Sequence, residues 1–181
     1  MIHRLLRSRL AAGLALVGGV AMAGFGVAAA IEGGGRGLPV PDSDELSLVE
    51  RFAAAVTTFD AGRVEADIER ILALGTPAFA DEFRATMGET FVADIQASGS
   101  VSTGEIVAGP TLQRLDDGTA VFFVVVNQQI QAPSTAPAEG EGVDDTGADG
   151  EAAAPQSRVV RVGLLVQVDR AQDLVSSVQV L

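Results

Sequence analysis

Leu10 to Ile31 carries no charged and no strongly polar side chain over 22 consecutive positions. A helix rises about 1.5 Å per residue, so the run reaches about 33 Å, enough to cross a hydrocarbon core of about 30 Å. His3, Arg4, Arg7 and Arg9 precede it without an acid, and Glu32 comes directly after it. The positive flank belongs on the cytoplasmic side, which places the rest of the chain outside. The rival reading is a cleaved secretory signal, with Ala28-Ala29-Ala30 as the small residues a peptidase needs. The run exceeds the usual signal core, which favours an uncleaved anchor, and both readings export residues 32–181. Ala11, Ala15, Gly19 and Ala23 form a small-residue stripe on which a second helix could pack.

Residues 32–181 are enough for one domain with its own core. Three of the 12 arginines lie before the run, so nine remain against 24 acids, a balance of −15 for the exported part. That charge repels nucleic acid and bare anionic lipid. There is no cysteine, hence no disulfide and no thiol chemistry. Lysine, tyrosine and tryptophan are also missing, and His3 is the only histidine. Catalysis at neutral pH would have to rest on carboxylates and arginines, and no pair of them has a diagnostic spacing. Asp144-Asp145-Thr146-Gly147 is too sparse for a calcium loop and lacks the closing Glu. The residue pattern assigns no catalytic, cofactor-binding or metal-ligating residue.

Gly33-Gly34-Gly35-Arg36-Gly37 lacks the Gly-Lys-Ser/Thr ending of a phosphate loop and comes after no strand. It reads as a flexible spacer over 32–42, continued by Pro39 and Pro41. Asp42, Ser43 and Asp44 offer caps for a first helix over about 43–58, with Leu46, Val49, Ala53 and Val56 on one face. Asp60 can cap a second helix, striped by Val64, Ile68, Ile71 and Leu72 and ended by Gly75. Thr76-Pro77 opens a third, to about Ala97, with Phe79, Phe83, Met87, Phe91 and Ile95 spaced by fours. Such a stripe is usually core; the alternative is a ligand wall.

From Ser100 the pattern turns β-like. Val101 to Leu115 is β-branched, with a bulge or bend expected at Gly109-Pro110. Asp116-Asp117-Gly118 signals a hairpin turn. Ala120 to Val126 is apolar at every position, which implies a strand covered on both faces and ending in Asn127, Gln128 and Gln129. Val160, Val162, Leu164, Val166 and Val168 alternate as a third strand, and Leu174 to Leu181 closes the domain. Between the second and third strands, 132–157 holds six acids and no base, too little apolar matter to order itself. The expected architecture is α+β: three helices on one face of a curved antiparallel sheet of about four strands, over 43–181. The second apolar face of Ala120–Val126 then needs a cover, from the cone's own wall or from another protein.

Several segments resemble the actinobacterial Mce-associated membrane proteins, small accessory proteins of mammalian-cell-entry lipid-import systems. They are the basic start and single span, Thr57-Thr58-Phe59-Asp60, Val64 to Leu74, Phe79-Ala80-Asp81-Glu82-Phe83 and Val125-Val126-Asn127-Gln128-Gln129. The likeness covers about 45–130 and 158–181. The turn Asp169-Arg170-Ala171-Gln172-Asp173 lacks the Gly and Trp of that family, and the acidic insert is longer. The resemblance implies a cone-shaped fold like that of nuclear transport factor 2 and ketosteroid isomerase, and like the periplasmic domain of type IV secretion assembly proteins. It implies a non-enzymatic, single-pass accessory protein whose partners are Mce-type membrane transporter subunits, with homo-oligomerisation left open. Two alternatives stand beside it. One is a ligand-binding or isomerase-like cone, with the aromatic face of the third helix lining a pocket and Asp67 or a neighbour as base; Asp67 and Glu82 could face a cone interior, though a solvated helix face is the commoner home for each. The other is an assembly subunit of a secretion channel.

Overall fold

The computed structural model describes residues 40–116, 118–133 and 156–181, without the side chains of 88–91. The span 10–31, most of the spacer, Asp117, the Phe91 side chain and the body of the acidic insert lie outside the described residues. Among the described residues, no helix is long and apolar enough to cross a membrane.

Helix α1 spans Ser43–Thr57 and opens with a capping box. Asp42 accepts from the Asp44 N–H, and Glu45 accepts from the Asp42 N–H at 3.1 Å. A two-residue strand β1, Phe59–Asp60, and a 3-10 turn, Ala61–Arg63, lead into α2, Val64–Leu72. Asp60 therefore caps the 3-10 turn, through the Gly62 N–H, rather than α2 itself. Helix α3, Pro77–Ser98, begins as expected, with Thr76 Oγ1 accepting from the Phe79 N–H, and ends at Gly99 in the left-handed region.

Four long strands complete the chain: β2, Val101–Asp116; β3, Thr119–Ala132; β4, Gln156–Asp169; and β5, Leu174–Val180. With β1 they form one antiparallel sheet in chain order, curled into a half-barrel around the helices. The class is the expected α+β, with five strands instead of about four. Strand β1 was not legible because two residues show no alternation; its pairing with Val101 and Ser102 defines it. Strand β3 runs six residues past Val126, and β4 starts at Gln156, so both ends of the acidic insert belong to the ladder. The bend at Gly109-Pro110 is a register shift between Ala108 and Thr111. Gly109 sits there at φ 84°, where a Cβ would lie 2.5 Å from the Phe123 carbonyl oxygen.

The core lies between the helices and the concave side of the sheet. Phe52, Phe79, Phe122, Val124, Val126, Leu164 and Val166 are fully buried there. Phe52 and Phe79 meet edge to face at 5.6 Å, a geometry worth about 0.5–1.5 kcal/mol beyond burial. Phe83 meets Phe79 at the same separation with the rings tilted by 38°. Val64 and Ile95 form a smaller cluster with Ala61.

Candidate functional site

The interior offers no place for the isomerase-like alternative to work through Asp67. Asp67 is buried, but both its carboxylate oxygens are engaged. Oδ1 pairs with Arg70 Nη1 at 2.9 Å, and Oδ2 accepts from the Asp60 N–H at 2.8 Å. Arg70 in turn donates to the Thr58 carbonyl at 3.0 Å. The group fixes the α1–α2 connection. Glu82 is exposed on α3 and does not face the interior. Phe79 and Phe83 are filled against Phe52 and act as core, not as a ligand wall. Met87 packs on the edge of the same core, and Ile95 belongs to the smaller cluster.

Sequence patterns alone miss a buried polar knot where α1 meets the sheet. Gln128 is 0% exposed. Its Nε2 donates to the Thr57 carbonyl at 3.2 Å and to Ser102 Oγ at 2.8 Å. Ser102 Oγ also donates to the Thr57 carbonyl, at 2.8 Å. The last carbonyl of α1 thus finds partners on β2 and β3, which satisfies a helix end that would otherwise be orphaned. The available signal is parity: Gln128 continues the row of Val124 and Val126 on the core face.

The convex side of the sheet is different. Residues directly opposite in a ladder share a face, so the register defines its rows. Glu105, Asn127 and Arg161 form one row; Ala108, Val125 and Gly163 the next. Beyond them lie Thr111, Phe123, Leu165 and Gln179, then Arg114, Val121, Gln167 and Ser177. Leu181 extends the second row, with its N–H donating to the Gly163 carbonyl at 2.9 Å. Phe123, Val125 and Leu165 are only half-buried, and Leu181 is exposed. A Cβ on Gly163 would touch both the Phe123 ring and Leu181, so these side chains close over that glycine. The second apolar face expected for Ala120–Val126 is therefore real; among the described residues Val121 is buried on it, while Phe123 and Val125 are covered only in part. Polar groups rim it, including Arg161 Nε, which donates to Asn127 Oδ1 at 3.2 Å.

No protein-family model and no curated protein sequence matches the chain. Solved structures do. An IcmL-like type IV secretion system protein from Legionella pneumophila superposes with a TM-score of 0.52 at 13% identity, over 79% of this chain and 94% of that one. CagV, a VirB8 homolog of the type IV secretion system of Helicobacter pylori, gives 0.51 at 7% identity, over 77% and 97%. The periplasmic domain of DotI gives 0.50 at 13% identity, over 80% and 98%. At such identities the likeness is one of fold. It supports the cone-like architecture and overturns the lipid-import assignment, since the matching structures are secretion proteins. In the motif Phe79 to Phe83, Phe79, Ala80 and Phe83 are core positions, while Asp81 and Glu82 are exposed.

Proposed function

We propose that the chain is a non-enzymatic assembly subunit of a secretion or conjugation channel in the membrane. Residues 10–31 anchor it with 1–9 in the cytoplasm, 32–42 serve as a spacer, and 43–181 work as an extracytoplasmic protein-binding domain. One observation carries this reading: the concave side is filled by the domain's own helices, while on the convex face, among the described residues, Leu181 is exposed and Phe123, Val125 and Leu165 are only half-buried behind a polar rim. Such a patch on a soluble domain marks a surface for another protein. The likeness to periplasmic type IV secretion domains, over about 80% of this chain, supports the same placement and role.

The test is gentle detergent extraction of the tagged full chain from its native membrane, then mass spectrometry of co-purifying proteins. Channel subunits in stoichiometric amounts are expected, and Phe123→Arg on the open face should release them while leaving the fold intact. A protein found soluble, cleaved near Ala30 and alone would overturn the reading.

A further inference from the structure

The two edges of the sheet are finished differently. At one edge, β1 covers β2 only at Val101 and Ser102. Beyond them β2 carries the features that keep a foreign strand away: three register shifts, Pro110, and the charged Glu105, Arg114 and Asp116. The other edge, β5, has none of these over 177–181. Its one irregularity, the extra residue Ser176, comes before this stretch. Residues 162–168 and 174–181 contain no charged side chain.

The ladder defines which backbone groups of β5 are left over. The Leu181 N–H donates to the Gly163 carbonyl at 2.9 Å, so Leu181 turns toward β4. Backbone direction alternates along a strand, so Gln179 and Ser177 also turn toward β4, opposite Leu165 and Gln167. Val178 and Val180 therefore aim their N–H and C=O groups away from the sheet. At Val175 the outward groups are taken by the Leu74 carbonyl and the Thr76 N–H. At Val178 and Val180 no described residue takes them. The edge thus has room for a short, uncharged, extended segment, bounded at one end by Leu74–Thr76.

Strand β5 is itself such a segment. Consider a second copy placed antiparallel beside it, with a two-fold axis through Gln179 and perpendicular to the sheet. Val178 of each copy then lies opposite Val180 of the other, and all the leftover N–H and C=O groups of these residues pair. The side chains agree with this register. Buried Val178 meets half-buried Val180 on the core side, while Gln179 meets its counterpart and Ser177 meets Leu181 on the convex side. Charge does not oppose the contact. At about 3.4 Å per residue, the two Val175 positions lie about 27 Å apart along the ribbon, well beyond a screening length of about 8–10 Å. The starts of α3 and the 169–173 turns are held apart with them, and Asp81 of α3 is paired with Arg84 at 3.6 Å. We propose that β5 pairs edge to edge with β5 of a second copy, an isologous contact that makes one sheet continuous through two domains. The two convex faces then lie side by side and look the same way, which joins the apolar patches around Leu165 and Leu181. The edge is a separate surface from the convex face, and the inference does not depend on what docks there.

Residues directly opposed in a non-hydrogen-bonded pair bring their Cα atoms to about 4.5 Å, within disulfide range. The chain has no cysteine of its own. In native membranes holding the full chain, Gln179→Cys is expected to give a disulfide dimer under mild oxidation, and Glu50→Cys, exposed on α1, is not. Ser177→Cys and Leu181→Cys read the register. Each lies about 13 Å from its own counterpart, so neither should link alone, while co-expressed chains carrying one each should. Gln179→Lys and Gln179→Glu set like charges together at the axis and should each weaken dimerisation of the full chain in mild detergent by about tenfold or more. Mixing the two variants should restore it, which a folding defect would not do. No Gln179 dimer above the Glu50 level, self-linking of Ser177→Cys or Leu181→Cys, no effect of the single charges, or no rescue by the mixture would overturn the proposal. So would linking of Gln179→Cys only to a different protein. If the Gln179 dimer forms but channel subunits never co-purify, the dimer stands and the secretion role falls.

Discussion

Thr57 lies so close over Gly104 that a Cβ built on the glycine would stand 1.9 Å from Thr57 Oγ1 and 2.7 Å from its Cβ. Thr57 is buried, and its hydroxyl donates to the Ala53 carbonyl at 2.6 Å, so it has little room to yield. The missing side chain at Gly104 lets the end of α1 settle onto β2, where Thr58 Oγ1 accepts from the Gly104 N–H at 3.0 Å. That settling brings the Thr57 carbonyl within reach of Ser102 and Gln128. Gly104→Ala should therefore cost about 1–3 kcal/mol through overpacking, read as a shift in the urea unfolding midpoint. An unchanged midpoint would mean that the contact relaxes freely.

A second prediction concerns Arg170 in the β4–β5 turn. Its guanidinium pairs with the buried carboxylate of Glu45 near the start of α1, and its backbone N–H donates to the Gly118 carbonyl of the β2–β3 turn at 2.9 Å. One residue thus ties two hairpins and a helix start together. Arg170→Ala leaves Glu45 without its cation, but the arginine is half exposed and water can replace part of the loss. The expected cost is about 1–2 kcal/mol, and the double variant Arg170→Ala with Glu45→Gln should recover part of it. Equal stability of the single and double variants would argue against the pairing.

Asp67 offers a test of structure against chemistry. If it fixes the α1–α2 connection, Asp67→Asn should destabilise the fold by about 1–3 kcal/mol, because the charge-assisted bond to Arg70 is lost in a buried place. Arg70→Ala should cost at least as much, since it leaves the buried Asp67 carboxylate without its cation, whereas Asp67→Asn leaves only a half-exposed arginine. Denaturation curves of both variants check this. A variant at Asp67 with unaltered stability would reopen the question of what the acid is for.

Acid stability should report on Asp169. Gln172 Nε2 donates to its Oδ2 at 2.6 Å, and the Ala171 N–H donates to Oδ1 at 2.9 Å. These bonds, the Gln172 side chain first, hold the carboxyl below its ordinary value. A carboxyl whose folded pKa is depressed contributes stability above its unfolded value, roughly pH 4, and loses it as the pH falls through the lower folded value. The stability of Asp169→Asn should therefore approach that of the unaltered chain as the pH is taken down from about 5 to about 2, through that acid window. Parallel curves for the two proteins would show that the turn does not depend on the charge.

The turn that Asp169 caps also holds a residue in an uncommon backbone region. Asp173 occupies the left-handed region at φ 53°, a place that usually favours glycine but that Asp tolerates.

Much of the fold was legible because it rests on local patterns. The caps at Asp42 and Thr76, the hydrophobic periods of α1 and α3, and the alternation of Val160 to Val168 each declare an element from its own residues. The doubly apolar run Ala120–Val126 declared that a second face exists, because both parities of one strand are apolar. Other features depend on what lies opposite in space. Strand β1 exists only through its pairing with Val101 and Ser102. The burial of Gln128 arises because a helix 71 residues earlier brings the Thr57 carbonyl to it. The stripe from Phe79 to Ile95 reads first as core with a pocket wall as the alternative, and the packing of Phe52 on Phe79 decides for core at that position. The sequence alone determined the helices, most of the strands and the apolar character of the sheet, since periodicity and capping are properties of neighbours along the chain. Only the tertiary structure decided which acids are structural and which face stays open, because burial and charge pairing are set by residues far apart in sequence.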